Sequence, residues 1–549
     1  MRWGHLSANA GAHCPHPAAA PSPQEGGPTA PPYHPHRQFG LAEWLASPCN
    51  FAQNAYFLPR YPGAPMPQSP TSFTDEIGIA LANLADAATG TFTPTLRLGV
   101  TGLSRAGKTI FITALVHDLL TGGRLPGFAP LTEGRFIGAR LAEYPDASIP
   151  RFAYEQHLAA LTGSKPTWPE STRRISQLRL TLKYQSNRWF SGLRGPSSLN
   201  LDIVDYPGEW LLDLPLLSLS FAEWSAAALA RARHPAAPAE AGEFLAGLET
   251  VDTAARATDV VAEGLAAAFT AYLRASRADE HALSALPPGR FLLPGDLEGS
   301  PALTFAPLDL PAVHPRGDSL YAMLERRYEA YKDVVVKPFF RDHFARLDRQ
   351  IVLVDTLRAL NAGPAAVRDL ESALTEILGA FRQGESNPLS RLVVRRIDRI
   401  LFAATKADHL HSSSHDRLEA ILNRLVANAA RRARFAGAET RSLAIAAIRA
   451  TREGTIEEKG QRLNVIIGTP EPGERLGGTI YDGRQEIALF PGDLPDDPDS
   501  VLQDAHPVKL NFLRFEPPQK LERNLEGDQV LPHIRLDRAL DFLLGDWLR

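Results

Sequence analysis

The apolar residues of this chain recur at two different spacings, and the alternation of the two predicts strands separated by helices. Apolar residues at helical spacing predict helices directly after residue 107, at residues 367–381 and at the C-terminus. The C-terminal helix is indicated by Leu536, Leu540, Leu543 and Leu544. Short apolar runs closed by polar or turn residues predict strands at residues 96–100, 177–184, 199–205, 351–355, 397–404 and 442–448. This order predicts an α/β protein with a doubly wound sheet and a ligand site at the carboxyl ends of its strands.

The expected domain organisation follows from where the strand pattern stops. Residues 210–350 are rich in Ala, Leu and Glu at helical spacing and predict a large, mostly helical insertion. Short β-type runs between turn signals at residues 462–500 predict a small β appendage. We therefore expect four parts, which are a Pro-rich tail (1–71), the first part of the sheet domain (72–209), the insertion (210–350), and the second part of the sheet domain with the appendage and a C-terminal helix (351–549).

Composition separates the N-terminal tail from the rest. Residues 1–70 hold fourteen of the 45 prolines and five of the 16 histidines, with few charged residues. Such a segment cannot build a periodic apolar face, so we expect it to be disordered. From Ser72 onward Phe73, Ile77, Leu81 and Leu84 recur at helical spacing and predict a helix before the first strand.

Charge and cysteine usage exclude several classes of protein. The formal net charge is −4, which gives no general attraction to nucleic acid or to an anionic membrane surface. No run of 18 apolar residues predicts a transmembrane helix. The two cysteines, Cys14 and Cys49, both lie in the tail, so the body of the protein lacks a disulfide framework. A cytoplasmic protein is the expectation.

The stretch from Gly102 to Thr109 reads G-x-x-x-x-G-K-T between a predicted strand and a predicted helix. This is the phosphate-binding (Walker A) loop, whose backbone N–H groups surround phosphate oxygens. Lys108 is expected to contact the β- and γ-phosphates and to act in catalysis, and the Thr109 hydroxyl to bind Mg²⁺. The loop residues expected to contact the nucleotide are Gly102, Ser104, Arg105, Ala106, Gly107, Lys108 and Thr109.

A second motif, Asp205-Tyr206-Pro207-Gly208, closes the predicted strand at residues 199–205. In phosphate-loop proteins a D-x-x-G motif here places the aspartate on Mg²⁺ and the glycine N–H on the γ-phosphate. Asp355 also ends a strand, but no glycine follows it in the motif position, so we rank Asp205 first. Thr172 is where a switch threonine would reach Mg²⁺, and an ordinary surface threonine is the alternative interpretation.

The residue after D-x-x-G is a glutamine in many GTPases and orients the attacking water. Here it is Glu209, followed by a bulky Trp210. The charge of a γ-phosphate repels a carboxylate, so we expect Glu209 to point away at rest and intrinsic turnover to be slow. Arg105 is the candidate for offsetting charge in the transition state, and a surface arginine is the alternative.

Thr405-Lys406-Ala407-Asp408 follows a buried strand and matches the [N/T]-K-x-D guanine-recognition motif. A carboxylate at its last position accepts two hydrogen bonds from guanine N1–H and the 2-amino group, which adenine does not offer. Lys406 is expected to lie along the base and sugar. Thr405 replaces the commoner asparagine and loses one link to the phosphate loop. Further on, the backbone N–H of Ala450 is expected to meet guanine O6.

The order of these motifs resembles that of the YcjX-like family of bacterial P-loop proteins. The stretches that carry the resemblance are GLSRAGKT, DYPGEW, PPGRFLLPGDLEGSP, KPFFRDHFARLDRQIVLVD, TKAD and HIRLDRALDFLLGD. It covers the chain from about residue 72 to the end. The resemblance implies a GTPase-like fold with a helical insertion, a cytoplasmic location, an association with envelope or heat stress, and a functional link to a small inner-membrane protein.

The sequence therefore predicts a protein that binds GTP or GDP with Mg²⁺, hydrolyses GTP slowly and acts as a nucleotide-dependent switch. Two alternatives stay open. An ATPase is the first, if the TKAD match is accidental. A nucleotide-binding scaffold with little hydrolysis, acting through the insertion, is the second.

Overall fold

The computed structural model describes residues 93–549 with short gaps. The gaps are residues 104, 145, 147, 171–173, 188–195, 236, 279–280, 285, 310–316, 380–396, 459, 504–509 and 525–526. The predicted tail and the predicted helix from Ser72 to Gly90 lie outside the described residues, and so do Ser104 and Thr172.

A seven-stranded sheet lies at the centre of the described chain, in the strand order β2-β3-β4-β1-β5-β6-β7. Strands β4, β1, β5, β6 and β7 run parallel, whereas β3 pairs antiparallel with β4 and with β2. The predicted α/β class with a mostly parallel sheet is confirmed. The strands are β1 (Thr95–Gly102), β2 (Phe136–Ala142), β3 (Ser176–Tyr184), β4 (Ser197–Asp205), β5 (Arg349–Val354), β6 (Arg399–Ala404) and β7 (Glu439–Ala444).

The observed strands depart from the predicted ones in two places. Strand β2 was not predicted, because its sequence FIGARLA mixes Gly, Ala and Arg and its pairing with β3 shifts register between Phe136 and Gly138. Strand β7 begins at Glu439 and ends at Ala444, earlier than the predicted 442–448. The apolar residues that follow Ala444 form a loop instead, and that loop reaches the functional site described below.

Helices cover both faces of the sheet, as the continuous apolar runs of its central strands require. Every residue of β5 is buried, which explains why its sequence does not alternate. The helices are α1 (Lys108–Thr121), α2 (Ala129–Thr132), α3 (Tyr154–Thr162), α4 (Phe221–Ala232), α5 (Ala239–Glu249), α6 (Asp259–Ser276), α7 (Gly289–Leu292), α8 (Leu320–Tyr331), α9 (Lys337–Asp342), α10 (Thr356–Ala362), α11 (Pro364–Gly379), α12 (His415–Leu425), α13 (Ala427–Phe435) and α14 (Leu536–Leu544).

Two apolar clusters hold the helices to the sheet. On one face α1 and the C-terminal α14 pack against β1 and its neighbours. On the other face α11 and α12 pack against β5 and β6. The C-terminal segment is also tied to the sheet by charge, because the buried Arg349 on β5 contacts Asp546 at 2.5 Å and Asp398 at 3.0 Å.

The chain between β4 and β5 is mainly helical and has an aromatic core of its own. Trp224 on α4 stacks on Tyr328 of α8, with ring centroids 5.1 Å apart. This core also takes in the 3₁₀ helix Gly208–Ser218, which directly follows the D-x-x-G motif. The segment after the motif is therefore part of the hydrophobic core of the insertion. The division of the chain into four parts stays a prediction.

Small antiparallel sheets follow β7. Strands β8 (Arg452–Glu458), β9 (Gln461–Gly468) and β12 (Ile487–Leu489) form one sheet, and β10 (Arg475–Leu476) pairs with β11 (Thr479–Ile480). The appendage thus starts about ten residues earlier than expected. A further pair, β13 (Glu522–Arg523) and β14 (Gln529–Val530), precedes α14. Throughout the described ranges, every helix is too short or too polar to cross a membrane.

Candidate nucleotide-binding site

The G-x-x-x-x-G-K-T stretch forms a tight loop from the end of β1 to the start of α1. Gly107 has φ +82°, a left-handed conformation that glycine adopts without a steric cost. The Lys108 ammonium donates to the Gly102 carbonyl at 2.9 Å, so the side chain folds back over the loop, and the residue is 8 % exposed. The Lys108 side chain is thus ordered by the first residue of the motif.

The start of α1 adds a second source of affinity for anions. This 14-residue helix begins at Lys108, and its N-cap Gly107 makes no side-chain hydrogen bond to the first turn. The first N–H groups of such a helix carry partial positive charge and can serve an anion. The loop and the helix N-terminus are therefore adjacent, as a phosphate-binding loop requires.

The D-x-x-G motif lies beside this loop because β4 is the parallel neighbour of β1. Asp205 pairs with Val100 across the two strands and is 1 % exposed. Gly208 lies so close to the loop that a Cβ added to it would be 1.8 Å from the Gly102 carbonyl oxygen. Only glycine fits there, so Gly208 is in contact with the first glycine of the phosphate loop.

The oxygen groups expected to bind Mg²⁺ are partly within the described residues. The Thr109 hydroxyl donates to the Glu170 carbonyl at 3.3 Å, and Asp205 ends the neighbouring strand. No cluster of three or more His, Cys, Asp or Glu side chains suited to a metal occurs in the described ranges. Mg²⁺ at a nucleotide needs only one or two protein oxygens besides the phosphates, so a hydroxyl and a carboxylate are a suitable pair.

The guanine-recognition motif lies at the end of β6. Asp408 is 4 % exposed, and its Oδ2 atom accepts a 2.8 Å hydrogen bond from the Ala450 N–H. The Thr451 hydroxyl donates to the Asp408 carbonyl oxygen. The N–H of Ala450, which we expected to meet guanine O6, thus donates to the aspartate and fixes its orientation.

The other two motif residues are tied to β5. Lys406 has φ +61°, and its ammonium lies 2.5 Å from the Asp355 carboxylate. The Thr405 N–H donates to the Val354 carbonyl at 3.0 Å. Asp355, the rival for the Mg²⁺ aspartate, is therefore a partner of the motif lysine and also accepts from the Arg358 N–H at the start of α10.

A cavity of about 190 Å³ lies between the phosphate loop and the guanine motif. Arg105 lines this cavity from within the loop. Residues from the appendage region also contribute walls, notably Phe515, whose carbonyl accepts from the Trp168 indole N–H at 2.8 Å. The predicted residues that line the cavity together are Arg105, Ala106, Gly107, Thr405, Lys406, Asp408 and Ala450.

Glu209 is buried and is paired with an arginine. Its carboxylate contacts the Arg277 guanidinium at 2.6 Å. Burial acts to raise the pKa of Glu209, but the charges of Lys108 and Arg277 outweigh it and the pKa falls below its ordinary value. The expectation that Glu209 points away at rest stays a prediction, and the observed partner of its carboxylate is Arg277.

Several residues at this end of the site were missed in the sequence. Arg277 follows α6 and is 68 residues from Glu209 along the chain. A Cβ on Gly289 would lie 1.7 Å from the Glu209 carbonyl oxygen, and the Arg290 guanidinium lies 3.1 Å from the centre of the Trp210 ring. The Pro/Gly-rich PPGR segment that interrupts the helical pattern was the one available signal for the last two contacts.

The model of the YcjX-like family, DUF463, matches residues 96–548, which is most of the chain. The chain belongs to the YcjX-like family. Among its YcjX-like relatives, the "Ras-like GTPase YcjX" of Escherichia coli K12 is 40 % identical over 472 residues, covering 83 % of this chain and 96 % of the relative. A protein of the same name from Shewanella oneidensis MR-1 is 38 % identical over 478 residues, covering 82 % of this chain and 94 % of the relative. The resemblance read from the motifs is confirmed.

Proposed function

We propose that this YcjX-like protein binds GTP with Mg²⁺, hydrolyses it slowly and works as a nucleotide-dependent switch. The observation that carries the proposal is the single cavity in which the phosphate loop and the TKAD motif meet. A nucleotide needs both groups at once, with phosphates on one and base on the other. The names of the relatives, Ras-like GTPases, support the same conclusion.

Guanine is the base that the geometry favours. Asp408 is buried and oriented by the Ala450 N–H through one carboxylate oxygen. The carboxylate keeps acceptor capacity for the N1–H and 2-amino donors of guanine. Adenine presents an acceptor at N1 and no 2-amino group, so its binding would leave a buried charge without those donors.

Phosphate and metal binding fall to residues around the start of α1. Lys108 is proposed to exchange its bond to the Gly102 carbonyl for phosphate oxygens. Thr109 and Asp205 are proposed as Mg²⁺ ligands, directly or through water, with Thr172 as the switch threonine. Mg²⁺ would there neutralise charge that develops on the phosphates.

A switch needs a part that moves with the phosphate state, and the insertion is the candidate. Gly208 contacts Gly102 of the loop, and its N–H is the group expected to meet the γ-phosphate. The residues immediately after it belong to the core of the insertion, with Trp210, Leu211 and Leu212 buried there. A displacement of Gly208 would therefore be transmitted into the insertion by packing.

The cellular setting that we propose rests on the family resemblance. We propose that this protein acts in the cytoplasm, in the bacterial response to stress, with a small inner-membrane protein as partner. The insertion is the surface through which such a partner would act.

Two measurements test the proposal. Displacement of a fluorescent guanine nucleotide by GTP, GDP, ATP and xanthosine triphosphate should show guanine nucleotides binding at least about 100-fold more tightly than ATP. Single-turnover phosphate release should be slow, well below the roughly 1–100 s⁻¹ typical of kinases. Equal binding of ATP would support the ATPase alternative, and tight binding without release would support the scaffold.

A further inference from the structure

The charge of Glu209 poses a problem for the reaction that we propose. The residue after D-x-x-G has to lie near the γ-phosphate if it is to orient water, yet a carboxylate there is repelled by the phosphate oxygens. The structure shows Glu209 buried, with a guanidinium on its carboxylate, one residue after the Gly208 that contacts Gly102 of the phosphate loop. Buried carboxylates are stable only when paired in this way.

The partner of Glu209 comes from the insertion. Arg277 is the first residue after α6, and its N–H closes the helix on the Arg274 carbonyl. Its own carbonyl accepts a hydrogen bond from the Arg358 guanidinium of α10, in the sheet domain. Arg277 is thus held at two points, through its backbone by Arg358 and through its side chain by Glu209, and a long flexible side chain gains a defined position.

The backbone of Glu209 is held by the same part of the insertion. Gly289 packs directly on the Glu209 carbonyl, and its N–H donates to Asp213 at 2.7 Å. Asp213 also accepts from the Tyr331 hydroxyl at 2.7 Å. The insertion therefore fixes both the main chain and the charged group of Glu209, next to the loop that binds phosphate.

We propose that Arg277 is a positioning residue of the phosphate site, supplied in cis by the helical insertion. It neutralises Glu209 and fixes its carboxylate, so that Glu209 can stand beside the γ-phosphate and orient the attacking water. This inference rests on the proposed function and assigns a role to a residue outside all of the motifs.

In the step concerned, the water oxygen bonds to the γ-phosphorus and the bond to the β–γ bridging oxygen breaks. The electron pair of the broken bond leaves on GDP, and the water protons go to inorganic phosphate and to solvent. Glu209 accepts a hydrogen bond from the water, and Arg277 acts only through Glu209. The insertion would then set the rate by keeping Arg277 on Glu209 or withdrawing it.

The test is a double-mutant cycle on the full chain, with Arg277→Gln, Glu209→Gln and the double variant. Affinities for GDP and for a non-hydrolysable GTP analogue are measured by displacement, and the rate by single-turnover phosphate release. Arg277→Lys restores the charge. Arg274→Ala is the matched control, since Arg274 lies exposed in the last turn of the same helix.

Arg277→Gln should weaken binding of the GTP analogue by roughly tenfold and leave GDP binding nearly unchanged, because an unneutralised carboxylate then faces the γ-phosphate. Adding Glu209→Gln should restore the affinity, and Arg277→Lys should recover part of the rate. Glu209→Gln alone should bind the analogue at least as tightly as the unaltered chain, which keeps the test valid even where Arg277→Gln lowers stability.

Effects of Arg277→Gln that match those of Arg274→Ala would overturn the inference. The inference would also be overturned if the losses in phosphate-release rate from Arg277→Gln and Glu209→Gln simply added in the double variant. Arg277 would then act on the phosphate itself. The proposed function fails on a different result, equal binding of ATP and GTP. In that case the cycle is read with ATP and ADP analogues, because the two residues concern the phosphate and not the base.

Discussion

The two ends of the nucleotide site are held by different parts of the chain. At the base end, Asp408 is fixed by the backbone N–H of Ala450, within the loop that follows β7. At the phosphate end, Gly208 contacts the phosphate loop, but the residues after it are packed into the insertion and Glu209 is paired with Arg277. The base end is fixed within its own loops, whereas the phosphate end is connected to the insertion.

This difference indicates which end of the site would change conformation when GTP replaces GDP. GTP and GDP share the base and differ only in the γ-phosphate, so a protein that distinguishes them needs its movable part at the phosphate end. Here the contacts of Glu209 with Arg277 and Gly289 connect that end to the insertion. The predictions that follow separate the two ends, beginning with the largest effect.

Lys108→Ala should remove the phosphate end altogether. We expect GTP and GDP affinity to fall on the order of 1,000-fold, because a charge-assisted contact to two phosphates is lost. The residue is more buried than its place in a loop suggested, and among the described contacts its ammonium donates to the Gly102 carbonyl. Circular dichroism should therefore change little, while the melting temperature falls modestly because the buried Glu209 carboxylate loses the influence of a positive charge. A misfolded variant would mean that the lysine is structural.

Asp408→Asn should break the base end and leave the phosphate end intact. GTP affinity is expected to fall about 100-fold, because the amide cannot accept hydrogen bonds from both guanine donors. The affinity for xanthosine triphosphate should rise. The ratio of GTP to GDP affinity should stay the same, because both share the base. A changed ratio in a displacement assay would show that the two ends are coupled.

Asp213→Asn probes how the segment that follows the phosphate end is held inside the insertion. Burial raises the pKa of Asp213 to about 6, although the hydrogen bonds from Tyr331 and Gly289 act to lower it. The folded protein therefore binds a proton more tightly than the unfolded chain, and the free energy of unfolding falls as pH rises from about 4 to about 6. The free energy of unfolding falls by at most about 3 kcal/mol across this range, and the Asp213 carboxylate causes no further fall at higher pH.

The measurement is urea unfolding at several pH values. The difference between the unaltered chain and Asp213→Asn should change across that window. Gly242→Ala, which adds a methyl group in open space in the same insertion, is the control and should show no such change. A difference between the unaltered chain and Asp213→Asn that does not vary with pH would contradict the role assigned to burial.

Gly208→Ala should disturb the contact between the motif and the loop. A methyl group would lie 1.8 Å from the Gly102 carbonyl, so the two segments must separate at a cost of about 2 kcal/mol. GTP binding should weaken more than GDP binding, with guanine selectivity kept. Gly242→Ala on α5 adds a methyl group in open space and should change neither affinity.

The sequence predicted the base end and the phosphate loop better than their connection to the insertion. Local patterns were sufficient to predict strand β5 and the start of a helix at Lys108, because an apolar run or a short motif lies within one segment of the chain. The Arg277–Glu209 pair joins residues 68 positions apart, and no local spacing signals it. Ala450 lines the cavity, but the partner of its N–H depends on how two loops meet, which a pattern along one segment does not contain.

Hydrogen exchange of the full chain with GDP or a non-hydrolysable GTP analogue, each with Mg²⁺, tests most directly whether the phosphate end reports to the insertion. The account predicts that exchange changes in the 3₁₀ helix Gly208–Ser218 and around Arg277 and Gly289, with the loop near Asp408 and Ala450 unchanged. A difference confined to the phosphate loop and the start of α1, with the insertion the same in both states, would contradict it.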